Sequence, residues 1–220
     1  MSDIKTKKQW IEDSLRQSYE SIASDFDKTR QNITPELQVA ADTILEGCSV
    51  LDLGCGNGRL LKAAPTVNFD YLGLDRNQAL LDQARSAFPE ARFATGTMED
   101  FDFGQARWDR VIAVASFHHI ITVAERADVL RRIYQGLKPG GKLAMTNWRL
   151  WQRRYLPAFI RWWPHKIVWN DTFITWNNQF PRYYHAFTTH ELHHLLQSAG
   201  FTDIETRVIR HNYITTASKL

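Results

Sequence analysis

The sequence predicts an α/β fold in which helices cover both faces of a mainly parallel, doubly wound sheet. Short apolar segments alternate with amphipathic segments along most of the chain, and this alternation is typical of strand–helix–strand units. The 220 residues, 44% of them hydrophobic, are enough to bury a full core. We therefore expect one domain that spans residues 1–220.

The order of the segments gives the predicted elements. Two helices are expected before the first strand, at residues 8–26 and 36–46. Five strands of a parallel sheet are predicted near residues 48–53, 70–75, 91–94, 109–115 and 142–147, with helices between them near 58–64, 77–87 and 124–136. Thr188–Ala199 is predicted as a helix that ends before Gly200, and two strands close the chain. Residues 149–187 match neither pattern and are expected to form an irregular insertion.

Composition and cysteine use indicate the compartment. No segment approaches the roughly 18 apolar residues of a membrane span, so stable membrane insertion is not expected. The first ten residues lack the apolar stretch of a secretory leader, and Cys48 and Cys55 flank the first strand instead of forming a disulfide framework. We therefore predict a reduced, cytoplasmic protein. No metal site is predicted, because the histidines of the C-terminal helix lack the spacing of metal ligands.

The most informative segment is LDLGCGNG, residues 51–58, which predicts a buried strand that runs into a glycine turn. Gly54, Gly56 and Gly58 allow the backbone to approach a nucleotide-like ligand closely, although a glycine turn alone fits an ordinary structural turn equally well. Asp52 lies just before the turn, and a carboxylate repels a pyrophosphate but attracts a cationic amino-acid group. The sequence therefore predicts S-adenosylmethionine as the cofactor rather than a dinucleotide.

Three further blocks follow the glycine turn at regular intervals. Asp75 ends the strand DYLGLD, about twenty residues beyond the first glycine, where nucleotide-binding units place an acid on the ribose hydroxyls. WDRVIAVASFHHI and GLKPGGKLAMTNW then predict two more strands with their turns. In the order and spacing of these blocks, the chain resembles the class I S-adenosylmethionine-dependent methyltransferases over residues 45–148 and at its C-terminal end. The resemblance implies a Rossmann-like sheet of about seven strands with an antiparallel last strand.

The same resemblance divides the chain into regions and assigns the cofactor contacts by motif position. It implies an N-terminal helical lid at 1–46, a cofactor-binding core at 47–148 and a C-terminal helix and hairpin at 188–220. Within the core, the glycine turn would hold the methionine end of the cofactor and Asp75 the ribose. The predicted cofactor-binding residues are Tyr19, Arg30, Asp52, Gly54, Cys55, Gly56, Asn57, Asp75, Arg76, Thr97, Met98, Ala115 and His118. Thr97 stands where many relatives carry an aspartate, which puts the usual contact to the adenine amino group in doubt.

The insertion at residues 149–187 is aromatic and basic. Together with Trp148 at its border it holds six of the eight tryptophans. It contains six basic residues and one acidic residue, Asp171, whereas the rest of the chain has 21 basic and 23 acidic residues. Arginines beside flat aromatic side chains suit single-stranded RNA. A hydrophobic cap whose arginines extend into water, or a surface for an interfacial membrane contact, fits the same composition.

Four blocks outside the general core resemble a narrower family. They are YESIASDFDKTR at residues 19–30, FHHI after the fourth strand, TNW after the fifth, and PRYYHAFTTHEL at 181–192. These blocks look like those of the methyltransferases that esterify 5-carboxymethyluridine at the tRNA wobble position. The resemblance implies a tRNA substrate, a carboxylate acceptor and, as in some relatives, a small zinc-binding activator subunit.

The narrower resemblance also assigns catalytic and substrate-binding residues. Arg30 would pair with a carboxylate or phosphate, His118 or His119 would lie at the mouth of the fourth strand, and Trp148 would stack on the target base. Either histidine fits a packed strand end equally well. The candidate substrate-binding residues are Arg149, Arg182, Tyr183, Tyr184 and His185. Neighbouring side chains of an extended segment point to opposite faces, so the two tyrosines are not expected to face inward together.

Three functions are compatible with the sequence. The leading hypothesis is methylation of a wobble-uridine carboxylate, which needs no strong general base because the acceptor is already ionised near neutral pH. The second is a small-molecule methyltransferase whose aromatic lid encloses a hydrophobic acceptor. The third is a cofactor-binding scaffold without turnover.

Overall fold

The computed structural model describes residues 2–29, 32–175 and 180–220, with side chains described except at residue 2 and residues 20–29. Seven helices are present in these ranges: α1 (Ser2–Thr29), α2 (Pro35–Ala41), α3 (Arg59–Ala63), α4 (Gln78–Ala87), α5 (Val123–Gly136), α6 (Leu156–Arg161) and α7 (Thr189–Ser198). The strands are β1 (Ser49–Leu53), β2 (Asp70–Asp75), β3 (Arg92–Thr95), β4 (Trp108–Val114), β5 (Leu137–Trp148), β6 (Asp171–Thr175), β7 (Pro181–His185), β8 (Thr202–Ile209) and β9 (Asn212–Ser218). Short 3₁₀ turns lie at Phe117–His119, Arg153–Tyr155 and Trp163–His165.

Seven strands form the main sheet in the order β3-β2-β1-β4-β5-β9-β8. The first five are parallel, β9 pairs antiparallel with β5, and β8 pairs antiparallel with β9. The central strand β1 is SVLDL, and its last four residues are buried, as expected for a parallel strand covered on both faces. The predicted α/β class, the seven strands and the antiparallel end of the sheet are therefore confirmed.

Two helical layers cover the sheet. Apolar residues of α2 and α3 pack against one face, and those of α5 and α7 pack against the other. The helix α5 begins at a capping box, in which Thr122 and Glu125 satisfy each other's backbone amides. Because the five parallel strands point the same way, their carboxyl ends and the following turns meet at one edge.

The prediction of an irregular insertion at residues 149–187 is wrong. The segment contains α6, two 3₁₀ turns and an antiparallel hairpin formed by β6 and β7. Tyr183 and Tyr184 point to opposite faces of this hairpin, as an extended strand requires, yet both are buried. The expectation that only one tyrosine faces inward fails because both hairpin faces are covered: Tyr183 packs with α1, and Tyr184 packs with Trp148 and α6.

The helix α1 extends over the hairpin and begins six residues before the predicted start. Ile11 and Leu15 pack against Phe173 of β6 and Tyr183 of β7. The Nζ of Lys8 forms an ion pair with Glu125 at the start of α5. These contacts hold α1 against the carboxyl edge of the sheet. Within the described ranges, no helix combines the length and apolarity needed to cross a membrane.

Candidate active site

The glycine turn follows β1 and leaves its backbone open at the carboxyl edge. Gly54 has a φ of +72°, and a Cβ at this position would lie 2.4 Å from the Cβ of Ser116. The amides of Gly54 and Cys55 both donate to the carbonyl of Leu74, at 2.7 and 3.0 Å. The turn is therefore anchored to β2, and a side chain at Gly54 is excluded both by space and by backbone conformation.

Asp75 ends β2 and joins the turn to α4. Its carboxylate accepts the backbone amides of Gly56 and Asn77, both at 2.8 Å. Burial raises the pKa of Asp75 above its usual value even though these amides oppose the shift. Each carboxylate oxygen keeps further acceptor capacity, which is what a pair of ribose hydroxyls requires.

One cavity at the carboxyl edge collects most of the predicted cofactor-binding residues. Ten of them line it: Tyr19, Gly54, Cys55, Gly56, Asn57, Asp75, Arg76, Thr97, Met98 and Ala115. His119, predicted as a catalytic residue, lines it as well. The cavity walls also include residues that sequence reasoning did not name, among them Leu15, Arg59, Glu99 and Ile120.

Asp52 lies behind the glycine turn and is not among the cavity residues. It is 2% exposed, and the hydroxyl of Tyr71 donates to its Oδ2 at 3.0 Å. Burial raises the pKa of Asp52 to about 7, against the opposing effect of the Tyr71 hydrogen bond. Asp52 therefore joins β1 to β2 through Tyr71 and adds a buried carboxylate whose charge depends on pH near neutrality.

Thr97 uses its hydroxyl locally. The Thr97 hydroxyl donates to Asp100 at 2.8 Å and accepts the Asp100 amide at 3.2 Å. The adjacent Glu99 lines the cavity, and burial raises the pKa of its carboxyl group. Glu99 is thus the acid that this loop supplies to the cavity. The sequence offered one signal for Glu99: it is an acid two residues after Thr97, in the segment FATGTMED that contains the third strand.

The turn after β4 combines backbone strain with tight anchoring. Ala115 lines the cavity with a φ of +53°, a conformation that non-glycine residues rarely adopt and that is often retained at functional sites. Its amide donates to the carbonyl of Thr146 at 3.1 Å and to the Thr146 hydroxyl at 2.9 Å. The Ser116 hydroxyl donates to the carbonyl of Leu53 at 2.6 Å, which ties this turn to β1.

His119 connects the cavity to the hairpin. Its Nδ1 lies 2.7 Å from the carbonyl oxygen of Tyr183, and its Nε2 lies 2.7 Å from the Tyr19 hydroxyl. A carbonyl only accepts hydrogen bonds, so Nδ1 carries a proton, and when the ring is neutral its Nε2 accepts from the Tyr19 hydroxyl. His119 thereby positions Tyr19 at the cavity wall.

An aromatic cluster adjoins this histidine. Tyr184 stacks on Trp148 with ring centroids 5.0 Å apart and lies 5.0 Å from His118 and 4.8 Å from His119. The backbone amide of Trp148 faces the Nδ1 of His118 at 3.4 Å. Trp148 and His119 are half-buried, while His118 and Tyr184 are buried. The structure thus brings four of the predicted catalytic and substrate-binding residues together beside the cavity.

The other predicted substrate-binding residues occupy different places. Tyr183 and His185 are buried in a network around Asp171, which accepts the Tyr183 hydroxyl at 2.7 Å and faces the His185 Nδ1 at 3.0 Å. Arg182 is buried between α1 and the aromatic cluster. Arg149 is half-buried after β5. Arg30, predicted as a cofactor-binding and catalytic residue, lies outside the described residues.

The charges of the insertion are divided between its surface and its interior. Arg153, Arg154 and Arg161 are exposed. Lys166 is buried, and its Nζ lies within 5.4 Å of the ring centroids of Phe159, Trp163 and Trp169. Only part of the predicted basic surface therefore exists, since Lys166 and Arg182 point inward.

Comparisons with known proteins match both the core and most of the chain. A family model described as "Methyltransferase domain" matches residues 50–141. A Schizosaccharomyces pombe protein named tRNA (carboxymethyluridine(34)-5-O)-methyltransferase is 26% identical over 225 residues, covering 93% of this chain and 96% of that protein. A Mus musculus protein with the same enzyme name is 31% identical over 140 residues, covering 63% of this chain and 20% of that protein. The match thus spans about a fifth of the length of the mouse relative.

Solved structures share the fold. A Methanosarcina mazei structure described as a SAM-dependent methyltransferase has a TM-score of 0.74 at 18% identity, covering 86% of this chain and 99% of that one. A methyltransferase in a complex with the Haloferax volcanii Trm112 methyltransferase activator has a TM-score of 0.69 at 18% identity, covering 93% of this chain and 96% of that one. At these identities the likeness shows the fold alone.

Proposed function

We propose that this chain, a member of the class I S-adenosylmethionine-dependent methyltransferases, methylates the carboxylate of 5-carboxymethyluridine at the wobble position of a tRNA. The observation that carries this proposal is the shared wall between the cofactor cavity and the aromatic cluster. Tyr19 and His119 line the cavity, and His119 packs against Tyr184 of the cluster. A flat acceptor held at the cluster would therefore lie next to the cavity.

The cavity suits S-adenosylmethionine, which supplies a methyl group on positively charged sulfur. Gly54 leaves the backbone open where a Cβ would collide with Ser116, and Asp75 offers carboxylate oxygens for a ribose. The apolar part of the cavity wall is formed by Met98, Leu80 and Ile120. We assign the methionine end to the glycine turn and the adenine to the side lined by Arg76, Met98 and Glu99.

A carboxylate acceptor suits the chemistry of the cluster. A carboxylate oxygen that attacks the methyl carbon forms the O–CH₃ bond while the S–CH₃ bond breaks, the electron pair stays on sulfur, and no proton is transferred. The hydrogen bonds of His119 hold Tyr19 and the hairpin in place, and an ionised acceptor needs no base. The site thus favours catalysis by positioning.

A tRNA partner is supported by the surface of the insertion and by the names of the relatives. Three arginines and the rings of Trp163 and Trp169 are exposed on it, a composition that suits phosphates and unpaired bases. The S. pombe relative, matched over nearly its whole length, carries a wobble-uridine methyltransferase name. We extend the proposal to a small zinc-binding activator subunit, in line with the activator complex among the structural neighbours, and to a cytoplasmic location.

Nucleoside mass spectrometry tests the proposed function. Bulk tRNA lacking the methyl ester is incubated with the protein and S-adenosylmethionine, with and without an activator subunit. The expected product is the methyl ester of 5-carboxymethyluridine, which mild base returns to the acid. Asp75→Ala serves as the control and should lose both product and calorimetric cofactor binding. Absence of the ester under both conditions contradicts the proposal, and transfer only to small aromatic acids favours the small-molecule alternative.

A further inference from the structure

Arg182 of β7 is a buried cation beside the site described above. It is 2% exposed and lies between α1 and the aromatic cluster. Its Nε donates to the Ser18 hydroxyl at 3.3 Å and its Nη1 to the Tyr184 hydroxyl at 3.4 Å. The guanidinium carbon lies 4.6 Å from the ring centroid of Tyr19, which lines the cofactor cavity.

The charge of Arg182 is not compensated within the described part of the chain. Among the side chains that the structure describes, which leave out residues 20–29, no carboxylate forms an ion pair with it, and its buried Nη2 has no hydrogen-bond partner. Burying a guanidinium is costly unless an anion is supplied. Its described neighbours are two neutral hydroxyls and an aromatic ring, so an anionic ligand would balance its positive charge.

We propose that Arg182 is the core of a carboxylate subsite that binds the acid group of the acceptor through Nη2. The inference rests on the proposed function, since it names the group that recognises the acceptor. Tyr184 contacts both Arg182 and the half-buried Trp148. A planar base near Trp148 with a short acidic arm would direct that arm toward the guanidinium. The subsite selects an ionised acid over the neutral amide of the same shape, because only the acid forms charge-assisted hydrogen bonds.

Binding of two anticodon stem-loops tests this subsite without depending on turnover. One RNA carries 5-carboxymethyluridine and the other carries 5-carbamoylmethyluridine, and both are titrated into protein saturated with S-adenosylhomocysteine. The wild-type protein should bind the acid at least tenfold more tightly than the amide. Arg182→Gln should bind both RNAs equally. Arg182→Lys keeps the charge but loses the planar fork, so it should retain a reduced preference for the acid.

Matched controls separate recognition from folding. Arg207→Gln makes the same substitution at an exposed position of β8, outside the insertion, and should keep the preference for the acid. Cofactor affinity and urea unfolding of each variant show whether the fold persists, and Arg182→Lys keeps the test valid if the glutamine variant unfolds. A wild-type protein without preference, or an Arg182→Gln variant that keeps it, overturns the inference. Formation of the methyl ester by the wild-type protein tests the proposed function separately.

Discussion

At the scale of single residues, the site depends on carboxylates that the fold withdraws from water. Asp52 is 2% exposed and receives a hydrogen bond from Tyr71, but burial dominates and raises its pKa to about 7. The proton is therefore bound more tightly in the folded than in the unfolded protein, whose Asp pKa is near 3.8. By linkage, the stability contributed by protonated Asp52 is complete below about pH 4 and is lost as the pH rises through 7.

Asp52→Asn is expected to flatten this pH dependence. Asparagine cannot ionise and still accepts the Tyr71 hydroxyl, so the free energy of unfolding should fall less between pH 5 and pH 8 than in the wild type, by about 2–3 kcal/mol. Urea unfolding of the cofactor-free protein at both pH values measures the difference. Asp82→Asn, on the exposed face of α4, is the control and should follow the wild type. An unchanged slope for Asp52→Asn would show that Asp52 is ionised throughout this range.

Residues whose role follows from local spacing were predictable, and residues whose role follows from long-range packing were not. The glycine turn and Asp75 lie at the ends of consecutive parallel strands, so the sequence alone placed them at one cavity. The burial of Asp52 by Tyr71 and the contact of Arg182 with Ser18, 164 positions away, depend on tertiary packing. Strand order and edge position are visible in a sequence, but the partners of a buried polar group are not.

At the scale of elements, the hairpin of the insertion is fastened to its neighbours by a buried polar network. Asp171 at the start of β6 is fully buried, and its Oδ2 accepts the amides of Ile167 and Val168 at 3.0 and 2.9 Å. His185 of β7 continues the network to Glu191 of α7 at 2.6 Å. Burial raises the pKa of Glu191, but the hydrogen bond to His185, the nearby Arg126 and the hydrogen bond from Asn170 together outweigh it and hold the pKa below its usual value.

This network explains why the sequence predicted an irregular insertion instead of a hairpin. Its aromatic and basic composition has no period-2 pattern, because β6 and β7 are covered on both faces and carry apolar and polar residues on each. Asp171, the one acid among the bases of the insertion, entered the prediction only through the count of charges. In the structure it organises the turn before β6 and the pairing of β6 with β7.

Asp171→Asn is expected to lower the free energy of unfolding by about 2–4 kcal/mol. The amide offers one acceptor oxygen where four donors converge, and its NH₂ group faces donors whichever way it is turned. Urea unfolding at neutral pH measures the loss. Asp203→Asn is the matched control, because Asp203 is exposed with a φ of +47° that asparagine tolerates. A change below about 0.5 kcal/mol for Asp171→Asn would mean that the network adds little to stability.

At the scale of the whole molecule, the basic character is concentrated on one exposed part. Arg153, Arg154 and Arg161 are exposed in the insertion, as are Trp163 and Trp169, whose exposed fractions are 56% and 64%. Arginines elsewhere are often paired: Arg92, Arg131 and Arg207 each contact an acid. The net charge of +3 therefore understates the local field that an RNA would meet at the insertion.

This distribution predicts that tRNA binding responds to salt through the insertion. Replacing Arg153, Arg154 and Arg161 together by glutamine should reduce the slope of log K against log salt concentration by about 2–3, since each phosphate contact contributes roughly 0.7–0.9. Fluorescence titrations of tRNA between low and physiological salt measure the slope. Replacing Arg92, Arg131 and Arg207 by glutamine makes the same change in net charge and should alter the slope much less, because these arginines are already neutralised by acids. Equal effects of the two triple variants would show that RNA binding follows net charge, and a shallow slope for the wild type would favour a small acceptor over tRNA.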